Sequence, residues 1–290
     1  MQKPISFLTL LFCLRALAAT TPHQHGVELY QQKNYADAIS VLTEVSKTEP
    51  PDSADFKESA LLIGQSYFMM NQGPKAIPWL EKVGPLNEAN FMLGYAYFLN
   101  HDPDHSEAAF ARLFDVKPDS AAGHLVAGQM LLKREYEKEA QAEIDKALVM
   151  DPKIPQAHFM LGEIAIYSGH PDEGVSEMLK ELAINPNYAM AWYRLGDAYS
   201  RQENWSAAIP QLQRSIWLNQ NFSGPYILLG KCYLKQKNFF NAESMLRKAV
   251  NLDPGNYSGT YLLAQTLMAE EKKDEARVLL EKLKTMEHDR

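Results

Sequence analysis

Five glycines set the frame of this chain. Gly94, Gly128, Gly162, Gly196 and Gly230 follow one another at intervals of 34 residues. With glycine at about 7% of ordinary sequence, four successive hits after a given start arise by chance roughly once in forty thousand trials. Other positions keep the same register. Twelve residues beyond each glycine stand Ser106, Ala140, Gly174, Ala208 and Ala242, all small. Four further on stand Phe110, Ile144, Met178, Leu212 and Leu246, all large and apolar. Prolines close the units at Pro118, Pro152, Pro186 and Pro254, with Gln220 as the departure. A fixed period of this length marks a repeat architecture, in which each unit buries its apolar face only against its neighbours.

The register runs on in both directions. Ala264, Ala276 and Leu280 continue it with alanine in place of glycine. Gly64, Ala76 and Leu80 carry it back, but Gly64 precedes Gly94 by 30 residues, so that unit has lost four. Gly26, Ala38, Leu42 and Pro50 begin the series, and Gly26 precedes Gly64 by 38; the surplus is expected in the Pro50-Pro51-Asp52-Ser53 turn. Eight units result, at about residues 20–52, 57–86, 87–120, 121–154, 155–188, 189–222, 223–256 and 257–290. Each reads as two helices. Trp192, Leu195, Ala198 and Tyr199 recur at helical spacing, Gln202-Glu203-Asn204 makes a polar turn, and Trp205, Ala208, Ile209, Leu212 and Ile216 resume the period. Asn185-Pro186-Asn187 and Asp253-Pro254-Gly255 stop second helices. The expected fold is all-α, a solenoid of stacked antiparallel helix pairs with a concave side. The repeated slots are steric: small residues let two backbones approach, and the large residue fills the space beside them. Gly196→Leu or Ala208→Phe should overpack that crossing, at a cost of about 1–3 kcal/mol or more.

The stretch AWYRLGDAYSRQENWSAAIPQLQRSIWLN resembles a tetratricopeptide repeat at Trp192, Leu195, Gly196, Tyr199, Ala208 and Leu212, with Trp205 in the aromatic turn slot. The next unit matches through Leu229, Gly230, Tyr233, Phe239, Ala242, Leu246, Ala249 and Pro254. The resemblance covers about residues 20–290 and is weaker in the first, second and fifth units. In the fifth, Gly174 stands for the small alanine and Ala165 for the usual tyrosine. It implies a right-handed superhelix whose groove is lined by the inner face of the first helices. Carried over slot by slot, it places Phe68, Phe91, Tyr95, Phe98, Leu99, Leu125, Phe159, Tyr167, Tyr193, Asp197, Arg201, Lys231 and Lys235 on that groove. The first half is apolar, while the fifth to seventh units alternate charge. Such a surface suits an extended or helical peptide with hydrophobic anchors and a few charges. Phe91, Tyr95, Phe98 and Leu99 form the densest cluster, although packing between adjacent first helices is a competing role for such aromatics. The lysine and asparagine with which some of these repeats clamp a C-terminal carboxylate are absent from the matching slots.

The N-terminus reads as an export signal over residues 1–19. Lys3 precedes the apolar run Ile5 to Leu14, and Ala16-Leu17-Ala18 or Leu17-Ala18-Ala19 offers small residues for a peptidase. That run is half the roughly 20 residues a membrane span needs. A periplasmic or secreted location follows as an expectation. Removing the segment leaves 27 basic against 36 acidic side chains, and this acidic balance favours neither nucleic acid nor anionic lipid. It also leaves Cys232 alone, expected as buried packing.

Catalytic signals are weak. His101-Asp102-Pro103-Asp104-His105 could offer metal ligands but reads as a solvated turn. Asn204, Asn221 and Asn256 open Asn-x-Ser sequons inside expected turns. No nucleophile elbow or phosphate-cradling loop occurs. No catalytic residue, metal or cofactor is therefore expected. The leading expectation is a non-enzymatic scaffold of the cell envelope or secreted space that holds a protein segment in its groove. Two alternatives stand beside it. One is an accessory subunit of an envelope enzyme or assembly machine. The other is self-assembly through the last repeat, whose second helix carries Leu279, Leu280, Leu283 and Met286 and is read as uncapped.

Overall fold

The computed structural model describes residues 21–288, which form sixteen α-helices and one short 3-10 turn with no strand among them. The export segment expected at residues 1–19 lies outside the described residues. The chain divides into two compact units, at residues 127 and 128. The N-terminal unit holds α1 (Pro22–Gln31), α2 (Tyr35–Ser46), α3 (Ala54–Met69), α4 (Gly73–Leu80), α5 (Asn87–Leu99) and α6 (Pro103–Leu113). Helix α7 (Ala121–Leu132) runs across the division. The C-terminal unit continues with α8 (Glu137–Met150), α9 (Ala157–Tyr167), α10 (Pro171–Ile184), α11 (Ala189–Arg201) and α12 (Trp205–Leu218). It ends with α13 (Ser223–Lys235), α14 (Phe239–Leu252), α15 (Tyr257–Ala269) and α16 (Lys273–His288). Among the described residues no helix is long and apolar enough to cross a membrane.

A single backbone device makes the turn inside each pair. His101, Glu135, Gly169, Glu203, Lys237 and Glu271 all have positive φ, between 58° and 85°, and stand 34 residues apart. Asn71 and Lys33 do the same at the shortened and lengthened intervals. A left-handed residue ends a helix by turning the chain so that its orphan carbonyls find partners. Asparagines then start the following helix. Asn204 Oδ1 accepts from Ala207 N at 3.2 Å and Asn238 Oδ1 from Asn241 N at 3.4 Å. Asn256 caps α15 in the same way, through Gly259 N at 2.9 Å. Two of the three sequons are thus helix caps. Asp102 caps α6 through His105 N and also binds the His105 ring at 2.8 Å, which assigns the His101–His105 segment to helix initiation.

Close approach of paired helices accounts for the glycine period. A Cβ added at Gly26, Gly64, Gly94, Gly128, Gly162, Gly196 or Gly230 would lie only 2.2–2.8 Å from a side-chain atom of Leu42, Leu80, Phe110, Ile144, Met178, Leu212 or Leu246 respectively. Each of those large side chains is fully buried. Where the small slot holds serine, Ser106 Oγ donates to Gly94 O at 2.7 Å, so its hydroxyl is satisfied inside the pair.

The irregular intervals have local causes. Helix α4 has only eight residues and gives way to a 3-10 turn, Glu81–Val83, before Gly84 at φ +87°. The missing four residues are therefore the last turn of that helix. The surplus before Gly64 is shared rather than confined to the proline turn. Ser53 caps α3 by accepting from Phe56 N at 3.1 Å, so the helix begins ten residues before its glycine, against seven for α13. In the C-terminal unit one buried carboxylate serves a helix start: Glu181 of α10 accepts from Gln156 N at 2.9–3.0 Å. A negative charge is favoured there by the helix dipole and the unpaired amides.

Candidate functional site

The expected groove residues divide by unit. In the N-terminal unit Tyr95 is only 2% exposed, and its ring packs edge-on against Phe110 and Phe91, both at 5.0 Å. It belongs to the core of the α5–α6 pair, which corrects its placement on the groove. The physical reason is the neighbouring glycine: Gly94 lets Phe110 enter between the helices, and Tyr95 completes that aromatic packing. Phe68 and Phe91 are half-buried against the core of the α4–α5 junction. Phe98 and Leu125 are half-buried as well, and Leu99 is exposed.

In the C-terminal unit one residue moves inside and the rest reach the surface. Phe159 is 7% exposed and tilts against Tyr188 at 5.0 Å, so it too is packing. Tyr167 at the end of α9 is 58% exposed. Arg194 of α11 places its guanidinium carbon 5.3 Å from the ring centres of both Tyr167 and Tyr193, and Arg201 lies 5.8 Å from Tyr167. Arg194 also binds Glu163 of α9 at 2.8 Å, and Arg201 binds Asp197 at 3.2 Å. Burial works against the charge on Arg194, but Glu163 and the two tyrosines outweigh it and hold the group more firmly protonated. Tyr193 stays in its phenol form, its pKa raised by burial and by Asp197. Its ring meets Phe222 edge-on at 4.9 Å. One helix further on, Lys231 sits over Trp205 and Lys235 is exposed.

The lattice thus brings together Tyr167, Tyr193, Asp197 and Arg201 from the expected set with Glu163, whose slot lies on the same face, and adds Arg194 and Phe222. Arg194 escapes a slot-based reading because its side chain reaches back across one whole unit. Beside Tyr167 opens a cleft of about 670 Å³ lined by Leu132, Glu135, Glu137, Glu163 and Ile164. The face therefore runs from an acidic end at α7–α9 through an aromatic centre to a basic end at α13. Chemically it can hold a chain of mixed charge around an apolar anchor. Cys232 is buried within the α12–α13 packing, and that burial pushes its thiol up to about 11, so it is inert at neutral pH.

Comparison with known proteins agrees with the helix pairs. Residues 91–157 and 159–221 match one family model described as tetratricopeptide repeat, and residues 233–290 match a second of the same description. The chain carries tetratricopeptide repeats over these residues. Its fold resembles MamA from Desulfovibrio magneticus RS-1 (22% identity, 59% of this chain and 97% of that one, TM-score 0.55). It also resembles YrrB, described as a TPR protein with an unusual peptide-binding site (23% identity, 63% and 94%, TM-score 0.53). A third is PilF of Pseudomonas aeruginosa (17% identity, 69% and 91%, TM-score 0.56). At these identities the likeness is one of fold. No curated protein matches the chain.

Proposed function

We propose that this chain is a non-enzymatic interaction scaffold that binds a peptide segment along the first-helix face of its C-terminal unit. The observation that carries this reading is the lattice of Tyr167, Tyr193, Arg194 and Arg201, which leaves aromatic and cationic surface in reach of solvent on successive first helices. The peptide carries an apolar anchor for the Tyr167 cleft, a basic residue toward Glu135 and Glu137, and acidic residues toward Lys231 and Lys235. The peptide-binding site in the description of YrrB supports the same use of the fold. The test is a charge-matched peptide array against the pure protein. Bound peptides should show this polarity and lose at least tenfold in affinity to a Tyr167→Ala, Arg201→Glu variant of unchanged helicity. Peptides of the opposite polarity, or equal binding to the variant, would overturn it.

We further propose, from the export pattern of residues 1–19 alone, that the scaffold works in the envelope or secreted space. Intact-mass analysis of the exported protein should find a start near Thr20, and a chain that keeps Met1 after fractionation would contradict it.

A further inference from the structure

The α12–α13–α14 junction and the α8–α9–α10 junction are the same construction two periods apart, and only one of them is filled. In the first, Ile209, Tyr233 and Met245 pack against the buried cluster that contains Leu229 and Cys232. The Tyr233 hydroxyl also accepts from Gln213 Nε2 at 3.3 Å, fixing the ring in place. Sixty-eight residues earlier the same three positions hold Gln141, Ala165 and Glu177. Two apolar side chains have become polar, and a tyrosine has lost its ring. A cavity of about 440 Å³ lies there, lined by all three. Its apolar wall is Leu161 and Ile164, the counterparts of Leu229 and Cys232, which are half-buried where those are 2% and 0% exposed.

A gap left by chance would be expected to relax or keep apolar edges, since unfilled apolar space costs stability. This one is edged instead by hydrogen-bonding groups: Gln141, Ser168, His170, Glu173, Ser176 and Glu177. No lysine or arginine lines it. Glu177 is held by His158 at 2.7 Å and Lys180 at 2.5 Å. Glu173, on the exposed first turn of α10, is a carboxylate available at the mouth. The volume lies within the range of small-molecule sites, which combine an apolar wall with a few placed polar groups.

We propose that the α8–α9–α10 cleft binds a small molecule with a phenol-sized ring and a cationic head. The ring takes the place of the tyrosine that Ala165 lacks, and the cation faces Glu173. Tyramine has this chemistry and serves as the probe, with 4-hydroxyphenylacetate as the same ring bearing an anion. Calorimetry on the full chain should show saturable one-to-one binding of tyramine, at least tenfold tighter than the anion. Ala165→Tyr should abolish that binding and raise Tm by roughly 2–4 °C, by supplying the missing ring. Should that variant not fold, Glu173→Lys at an exposed position carries the test and should weaken tyramine at least tenfold. Absence of saturable tyramine binding, or tyramine affinity unchanged in folded Ala165→Tyr or in Glu173→Lys, overturns the proposal.

Discussion

Tyr95 of α5 and Tyr167 of α9 are both aromatics on first helices, yet one is core and the other surface. In the N-terminal unit the aromatic rings turn inward, because Phe110 fills the space above Gly94 and Tyr95 and Phe91 stack edge-on around it. In the C-terminal unit the equivalent fillers are Met178 and Leu212, which need no aromatic partner. The tyrosines there remain available to Arg194 and Arg201. The two tyrosines also differ in slot, one against five positions past their glycines. Leu99, which shares the slot of Tyr167, is exposed as well, so slot and filler together decide whether a residue packs or is presented.

The largest effect should separate the two units at their glycines. Gly94→Leu forces a side chain into the Phe110 ring, 2.2 Å from the new Cβ, and should cost about 3 kcal/mol or more. Gly162→Leu meets first the flexible end of Met178, Cε at 2.7 Å with Cγ at 3.3 Å and Glu177 Cβ at 3.4 Å behind it, and should cost less, about 1–2 kcal/mol. Urea unfolding of the two variants checks the order, and equal costs would break the comparison.

Next come the tyrosines themselves. Tyr95→Ala removes a buried ring and should cost about 3 kcal/mol, whereas Tyr167→Ala should stay within about 0.5 kcal/mol of the parent. Similar melting of the two variants would mean that both rings serve the same purpose.

Smaller effects depend on pH, with opposite sign in the two units. Glu243 of α14 is held down to about 2, first by Lys272 and then by Arg247. A lowered carboxylate stabilises the fold above its unfolded pKa and loses that contribution as pH falls from about 4.5 toward 2. Glu243→Gln should therefore cost about 0.5–1 kcal/mol at pH 7 and nothing near pH 2. His23 of α1 lies between Glu49 at 3.0 Å and Glu58 at 3.1 Å. Burial opposes its charge, but the two carboxylates prevail and raise its pKa. A raised histidine contributes fully below about 6.5, and that contribution fades as pH rises through its folded value. His23→Ala should thus cost about 1 kcal/mol at pH 5.5 and less at pH 9, measured as the change in unfolding midpoint.

Steric periodicity was legible in the sequence because glycine and its filler are both hard constraints: Gly196 and Leu212 announce the crossing that the structure contains. The shortened α4 was legible as a deletion for the same reason. The extra residues near Pro50 were only half-placed, since the cap at Ser53 decides how far α3 extends. Groove residues were harder. Tyr95 and Glu163 share one slot, a single position past their glycines, yet the first packs on Phe110 and the second pairs with Arg194. The α8–α9–α10 cavity left one trace, Ala165 in a tyrosine slot. Its other edges, Gln141 and Glu177, acquire meaning only beside Ile209 and Met245.

The most direct measurement is a selection of random displayed peptides on the pure chain, with the enriched peptides titrated against parent and Tyr167→Ala, Arg201→Glu proteins. Enrichment of an apolar anchor flanked by opposite charges, with at least tenfold weaker binding to the variant, is the expected result. Peptides that bind both proteins equally would contradict a binding face on α9, α11 and α13.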